Sequence, residues 1–149
     1  MWERVLTDKR LMEMGTTIVS RSALCRQGSE TRDHLFLHCP IARRVWEELL
    51  AGSGQHGNSF QRVDVIIYKM NCNVLTPAGK RYWEMLPHAF WWGIWQTRNR
   101  AKFEGEEVVD WRVLQLILKL LWSWGLEFKE LQSIRLDELV FDWERIMFL

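Results

Sequence analysis

Two thiols and an imidazole are the residues of this 149-residue chain best placed to do chemistry. Cys25 closes the tetrapeptide Ser22-Ala23-Leu24-Cys25, His34 follows after eight residues, and Cys39 after four more. Zinc takes four tetrahedral nitrogen or sulfur donors at about 2.0–2.3 Å, and two short turns separated by a small loop bring donors to that reach. Three donors thus stand at zinc-knuckle spacing. Ser22 stands where a fourth would complete a CxxC pair, and a hydroxyl that keeps its proton at neutral pH is a poor ligand. His38 is the natural substitute, since residues i and i+4 share a face if the segment is helical. The competing expectation has His38 in solvent beside a packed Leu35 and Phe36. Two outcomes stay open: a weakened zinc site, or a metal-free remnant packed by its apolar residues.

Other chemistries find less support. Cys25 and His34 could be read as nucleophile and base, but their spacing is that of metal ligands. The stretch GSGQHG lacks the Lys-Ser/Thr ending of a phosphate-binding loop and reads as linker. Asp8, Asp33, Asp64, Asp110, Asp137 and Asp142 are scattered, with no adjacent pair to hold two metal ions. No enzymatic centre is expected.

Helices must position these groups. A first helix is expected within residues 1–21, with Val5, Leu6, Leu11 and Met12 apolar, Asp8 near a cap and Gly15 as a stop. Pro40 suits a first helical position, and Ile41, Val45, Trp46, Leu49 and Leu50 form an amphipathic face opposite Arg43, Arg44, Glu47 and Glu48. AGSGQHGNS then marks a boundary. The run Val65-Ile66-Ile67-Tyr68 fits a strand or a buried helical turn. A helix is expected from about Pro77 to Phe103, with a kink at Pro87. Another is capped by Asp110 and runs to about Gly125. In it, Arg112, Gln115, Lys119 and Ser123 form one polar stripe, and the remaining circumference is apolar and needs covering. A last helix is expected over residues 131–149, with Leu136, Leu139, Val140 and Trp143 on one side.

Composition sets the outer bounds. Hydrophobic residues make up 48% of the chain, enough for a core, and ten tryptophans point to an aromatic-rich one. The 20 Lys and Arg nearly balance the 19 Asp and Glu, so an affinity for nucleic acid must come from local patches. The longest apolar stretch, Val113 to Trp124, is interrupted by polar residues and is too short to span a bilayer. The charged start MWERVLTDKR lacks an apolar signal region, so an intracellular setting with reduced thiols is expected. Cys72 reads as a lone buried thiol.

Several elements occur together in a familiar order. VLTDKRLMEMG, SALC, GSETRDHLFLHC and ARRVWEELL resemble the reverse-transcriptase zinc-binding domain, found near the C-terminal end of LINE-type (non-LTR) retrotransposon polyproteins of plants. The matching elements are Cys25 (with Ser22 for the first Cys), Glu30-Thr31, His34-Leu35-Phe36, Cys39 and Val45-Trp46. WWGIWQTRNRAKF resembles the Trp-x-x-Arg-Asn-x-x-x-Phe region that often follows. The resemblance implies zinc on Cys25, His34 and Cys39, a nuclear location, and a grip on RNA or DNA. Candidate phosphate contacts are Arg21, Arg26, Arg43, Arg44, Arg98, Arg100 and Lys102, with Asn99 expected on a buried stripe.

The expected architecture is mainly α: a small degenerate zinc-knuckle module over residues 1–52, a linker over 53–76 and a Trp-rich helical extension over 77–149. The expected function is non-catalytic zinc and nucleic-acid binding as an accessory fragment. The alternatives are a metal-free module that binds a protein partner, or itself, through the Trp111–Trp124 helix, and a relic of a retroelement.

Overall fold

A computed structural model of the chain describes residues 7, 13–15, 21–53 and 72–149. The expected N-terminal helix, the Val65–Tyr68 run, most of the linker and the side chain of Cys72 lie outside the described residues. Gly15 is within them and has φ +91°, the left-handed conformation suited to a chain stop.

The described residues are mainly helical. Helix α1, Pro40–Leu50, begins with Pro40 at a position where a missing N–H costs nothing. It buries Ile41, Ala42, Val45, Trp46, Leu49 and Leu50, while the two arginines and two glutamates of the opposite face are exposed. Helix α2, Pro77–Asn99, is capped by Thr76, whose Oγ1 accepts the Gly79 N–H at 2.8 Å. It runs through Pro87, which is buried, and continues into a π-helical turn, Arg100–Glu104, that ends at Gly105. Proline removes one helical hydrogen bond, and here the core on both sides keeps the helix continuous.

Helix α3, Asp110–Gly125, starts one residue earlier than expected, with Val109 at the cap. Asp110 is instead a first-turn residue paired with Arg44 at 3.0 Å. The stripe Arg112, Gln115, Lys119 and Ser123 is exposed as expected, and Val113, Ile117, Leu118 and Leu121 are buried. Leu114, Leu120, Trp122 and Trp124 are half-buried against the same core, so the chain's own elements cover most of the broad apolar surface. Trp111, 55% exposed, is the exception. The C-terminal region is two short helices instead of one. Helix α4, Leu136–Phe141, and helix α5, Trp143–Met147, are separated at Asp142, whose φ of −115° interrupts the helical path.

One apolar core joins the residues around the cysteines to the C-terminal helices. Trp46 of α1 packs edge-on against Phe90 of α2 at 4.9 Å between ring centroids. Trp143 of α5 donates its indole N–H to the Leu49 carbonyl at 2.9 Å. The end of the chain returns to the start of α2. Leu75 and Phe148 form an antiparallel bridge, and the Thr76 N–H donates to the Met147 carbonyl at 2.9 Å.

Gly79 allows this return, since a Cβ there would stand 2.1 Å from the Met147 carbonyl oxygen. Gly79→Ala is therefore expected to destabilise the chain by about 1–3 kcal/mol despite alanine's better helix propensity. Thermal unfolding followed by circular dichroism checks this, and an unchanged or raised midpoint would contradict the close approach.

Candidate metal centre

The cluster is assembled by two tight backbone turns. In the first, the Ser22 N–H donates to the Gly28 carbonyl at 3.1 Å and the Arg26 N–H to the Ser22 carbonyl at 2.9 Å. Arg26 and Gly28 both have positive φ, 58° and 63°, which curls the loop back on itself. The second begins at Thr31, whose hydroxyl accepts the His34 N–H at 3.0 Å. It becomes a π-helical turn over His34–His38, and the Cys39 N–H closes it on the His34 carbonyl at 2.6 Å. An i to i+5 bond brings residues five apart together, the spacing that separates His34 from Cys39.

The ligand atoms of Cys25, His34 and Cys39 all lie within 4.8 Å of one another, and Cys25 Sγ is 3.3 Å from His34 Nε2. Zinc bonds of about 2.0–2.3 Å place tetrahedral donors roughly 3.5–3.8 Å apart, so this set fits the ion in both chemistry and spacing. Cys39 is fully buried, with Leu24, Leu35 and Phe36 also in the core, while Cys25 and His34 are half-buried. Burial pushes the Cys39 thiol up to about 11, and Cys25 adds to the rise. Burial, then the nearby His38, lowers the pKa of His34 against an opposing pull from Glu30. A neutral imidazole is the form that binds metal.

Ser22 is buried, and its Oγ accepts the Cys25 N–H at 3.5 Å. The serine thus supports the turn that carries Cys25. His38 is exposed and outside the three-residue group, while Leu35 and Phe36 beside it are buried. The structure therefore brings together Cys25, His34 and Cys39, with His38 at the rim.

Behind the cluster lies an ion pair that sequence reasoning missed. Glu30 is 0% exposed and Arg98, from α2, is 1% exposed. Arg98 donates from Nε to Glu30 Oε1 at 2.8 Å and also from Nη2 to the same oxygen. Its Nη1 donates to Asn99 Oδ1 at 2.9 Å, and its guanidinium lies 4.8 Å from the Trp95 ring centroid. The second Glu30 oxygen, Oε2, accepts the Ala23 N–H at 3.2 Å, inside the loop that carries Cys25.

Burial corrects the set of phosphate contacts. Arg98, not Asn99, is the deeply buried member of its motif, and its guanidinium is committed to Glu30. The Lys102 ammonium is buried too, which lowers its pKa. Neither reaches a surface phosphate. Arg21, Arg26, Arg43, Arg44 and Arg100 are exposed. Arg21 and Arg26 line a cleft beside the knuckle, and Arg100 and Arg112 line an adjoining one, with Glu106 and Glu107 common to both.

Comparison with known families meets the geometry at this point. Residues 1–46 match the family described as zinc-binding in reverse transcriptase. The matched segment contains all three clustered ligands and Glu30, and ends at Trp46. The chain matches no curated protein and no solved structure. Arg98 lies well beyond the matched segment.

Two outcomes are expected from this geometry. Ser22→Cys adds a thiolate in the turn that carries Cys25 and should tighten zinc binding tenfold or more, read by chelator competition; unchanged affinity would mean that position 22 does not face the metal. Zinc must also displace the proton of Cys39, whose pKa is about 11. Apparent affinity should therefore rise about tenfold per pH unit from this thiol alone across the neutral range, and competition titrations at several pH values check the slope.

Proposed function

We propose that this chain is a non-catalytic accessory module of a LINE-type retrotransposon polyprotein, one that binds zinc and nucleic acid. The observation that carries the reading is the convergence of Cys25, His34 and Cys39 within a segment matching a zinc-binding family. Zinc held there would act structurally, cross-linking the knuckle loop to the π-helical turn. Three protein donors make this a weaker site than a four-ligand knuckle. The nucleic-acid part of the reading is supported by the placement of exposed arginines. Arg21 and Arg26 on the knuckle face the same acidic pair, Glu106 and Glu107, as Arg100 and Arg112. Exposed guanidinium groups are the usual contacts of phosphates. The two carboxylates oppose an anion inside the clefts, so the phosphate contacts fall to the solvent-facing sides of these arginines, and a nuclear site of action goes with that partner.

Elemental analysis of the purified chain beside a Cys25→Ala variant tests the metal. About one zinc per chain, lost in the variant, is the expected result. A folded chain without zinc would favour the metal-free helical module. Binding of single-stranded RNA and DNA at several salt concentrations tests the partner. Arg21→Ala with Arg26→Ala should weaken binding and flatten the salt dependence by about 0.7 in log–log slope for each phosphate contact removed. Binding that ignores both substitutions would remove the knuckle from the nucleic-acid surface.

A further inference from the structure

We infer that Arg98 is a positioning residue for the metal centre, acting through Glu30 on the loop that carries Cys25. The inference rests on the zinc reading and extends the metal-binding unit beyond residues 1–46 to the end of α2.

The geometry is that of a tether. Glu30 divides its carboxylate between two tasks. Oε1 receives Arg98 from Nε and Nη2, and Oε2 receives the backbone N–H of Ala23. Ala23 lies between Ser22 and Leu24 in the turn that ends at Cys25. Thr31, next to Glu30, starts the helical turn that carries His34. One buried carboxylate therefore stands at the junction of both ligand-bearing turns, and Arg98 holds it from 68 residues away. A buried carboxylate that loses a cation partner is disfavoured, so Arg98 contributes to holding Glu30 in place. Arg98 is itself fixed by Asn99 and by the Trp95 and Phe103 rings, at 4.8 Å and 5.7 Å from its Cζ.

A site with three donors among the described residues is the kind most sensitive to such positioning. With few ligands to define the geometry, each must be held by the structure around it. Cys39 is fixed by the π-helical turn and by burial, and His34, half-buried like Cys25, by the same turn. Cys25 is half-exposed and sits on a loop whose link to the rest of the core includes the Ala23–Glu30 hydrogen bond.

The test uses the full chain. Glu30→Met with Arg98→Met removes both charges at similar volume, and such replacements of buried pairs often leave folding intact. This double variant should keep the helix content and cooperative melting of the parent while losing tenfold or more in zinc affinity. In the metal-free state its Cys25 should be alkylated several-fold faster, read by peptide mass spectrometry. Glu30→Gln with Arg98→Gln keeps a polar link and should recover most of both properties. Parental zinc affinity together with parental Cys25 reactivity in the methionine variant would overturn the inference. If the parent chain takes up no zinc, the zinc reading fails, and Cys25 reactivity alone decides the positioning claim. If the methionine variant does not fold, hydrogen exchange on the parent decides it. The Ala23 amide should then exchange as slowly as helical amides near Arg98, and rapid exchange would overturn the tether.

Discussion

A carboxylate and a guanidinium facing each other inside an apolar core place a strict constraint on their surroundings. Each ion gives up its hydration on burial, a penalty of several kcal/mol, and recovers it only where geometry and additional hydrogen bonds are good. Glu30 and Arg98 meet those terms with several fixed partners, among them a backbone amide of the knuckle, the neighbouring Asn99, and the ring of Trp95. Such a pair accepts one arrangement of its surroundings. It ties α2 to the cysteine-bearing loop and sets where the loop can lie relative to the π-helical turn beside it.

The apolar contacts around the pair act in the same direction. Trp46 against Phe90 joins α1 to α2, and the Trp143 indole on the Leu49 carbonyl joins α1 to the last helix. The chain end closes on the start of α2 through the Leu75–Phe148 bridge. These links cross the boundary that the glycine-rich linker suggests, so the knuckle and the helical extension share one core. Linker composition reports where the backbone is solvated and locally free. It says nothing about whether the segments on either side pack together.

The same distinction explains what could be read in the sequence. Local signals were legible: the spacing of Cys25, His34 and Cys39, Pro40 at the start of α1, Pro77 at the start of α2, and the polar stripe of α3. Each depends on residues a few positions apart. The break at Asp142 was not legible, because the apolar spacing of Leu139 and Trp143 suits one helix as well as two short ones. Arg98 was read as a surface cation because arginine is seldom buried without a partner, and its partner lay in a distant motif. Glu30 and Arg98 are opposite charges in two separate elements of the resemblance, but each stands among other charged residues, so the sequence alone does not single the pair out. The phosphate-contact set shrank for that reason, while the exposed arginines of the knuckle and α1 stayed within it.

Ser22 shows how little the form of the knuckle loop depends on the side chain at that position. The loop's backbone bonds to Gly28 and from Arg26 do not involve the side chain at position 22, and the hydroxyl still accepts the Cys25 N–H. A hydroxyl at position 22 is thus compatible with the turn, although it is a poorer metal ligand than a thiolate. In the smallest zinc domains a weakened site is fatal, because metal binding supplies the folding free energy. Here the turn packs on a core reaching to the last helix, and that burial contributes stability without an ion. A buried ion pair adds placement more than stability, so the shape of the chain rests on the core, while Glu30 and Arg98 bear on where the loop lies.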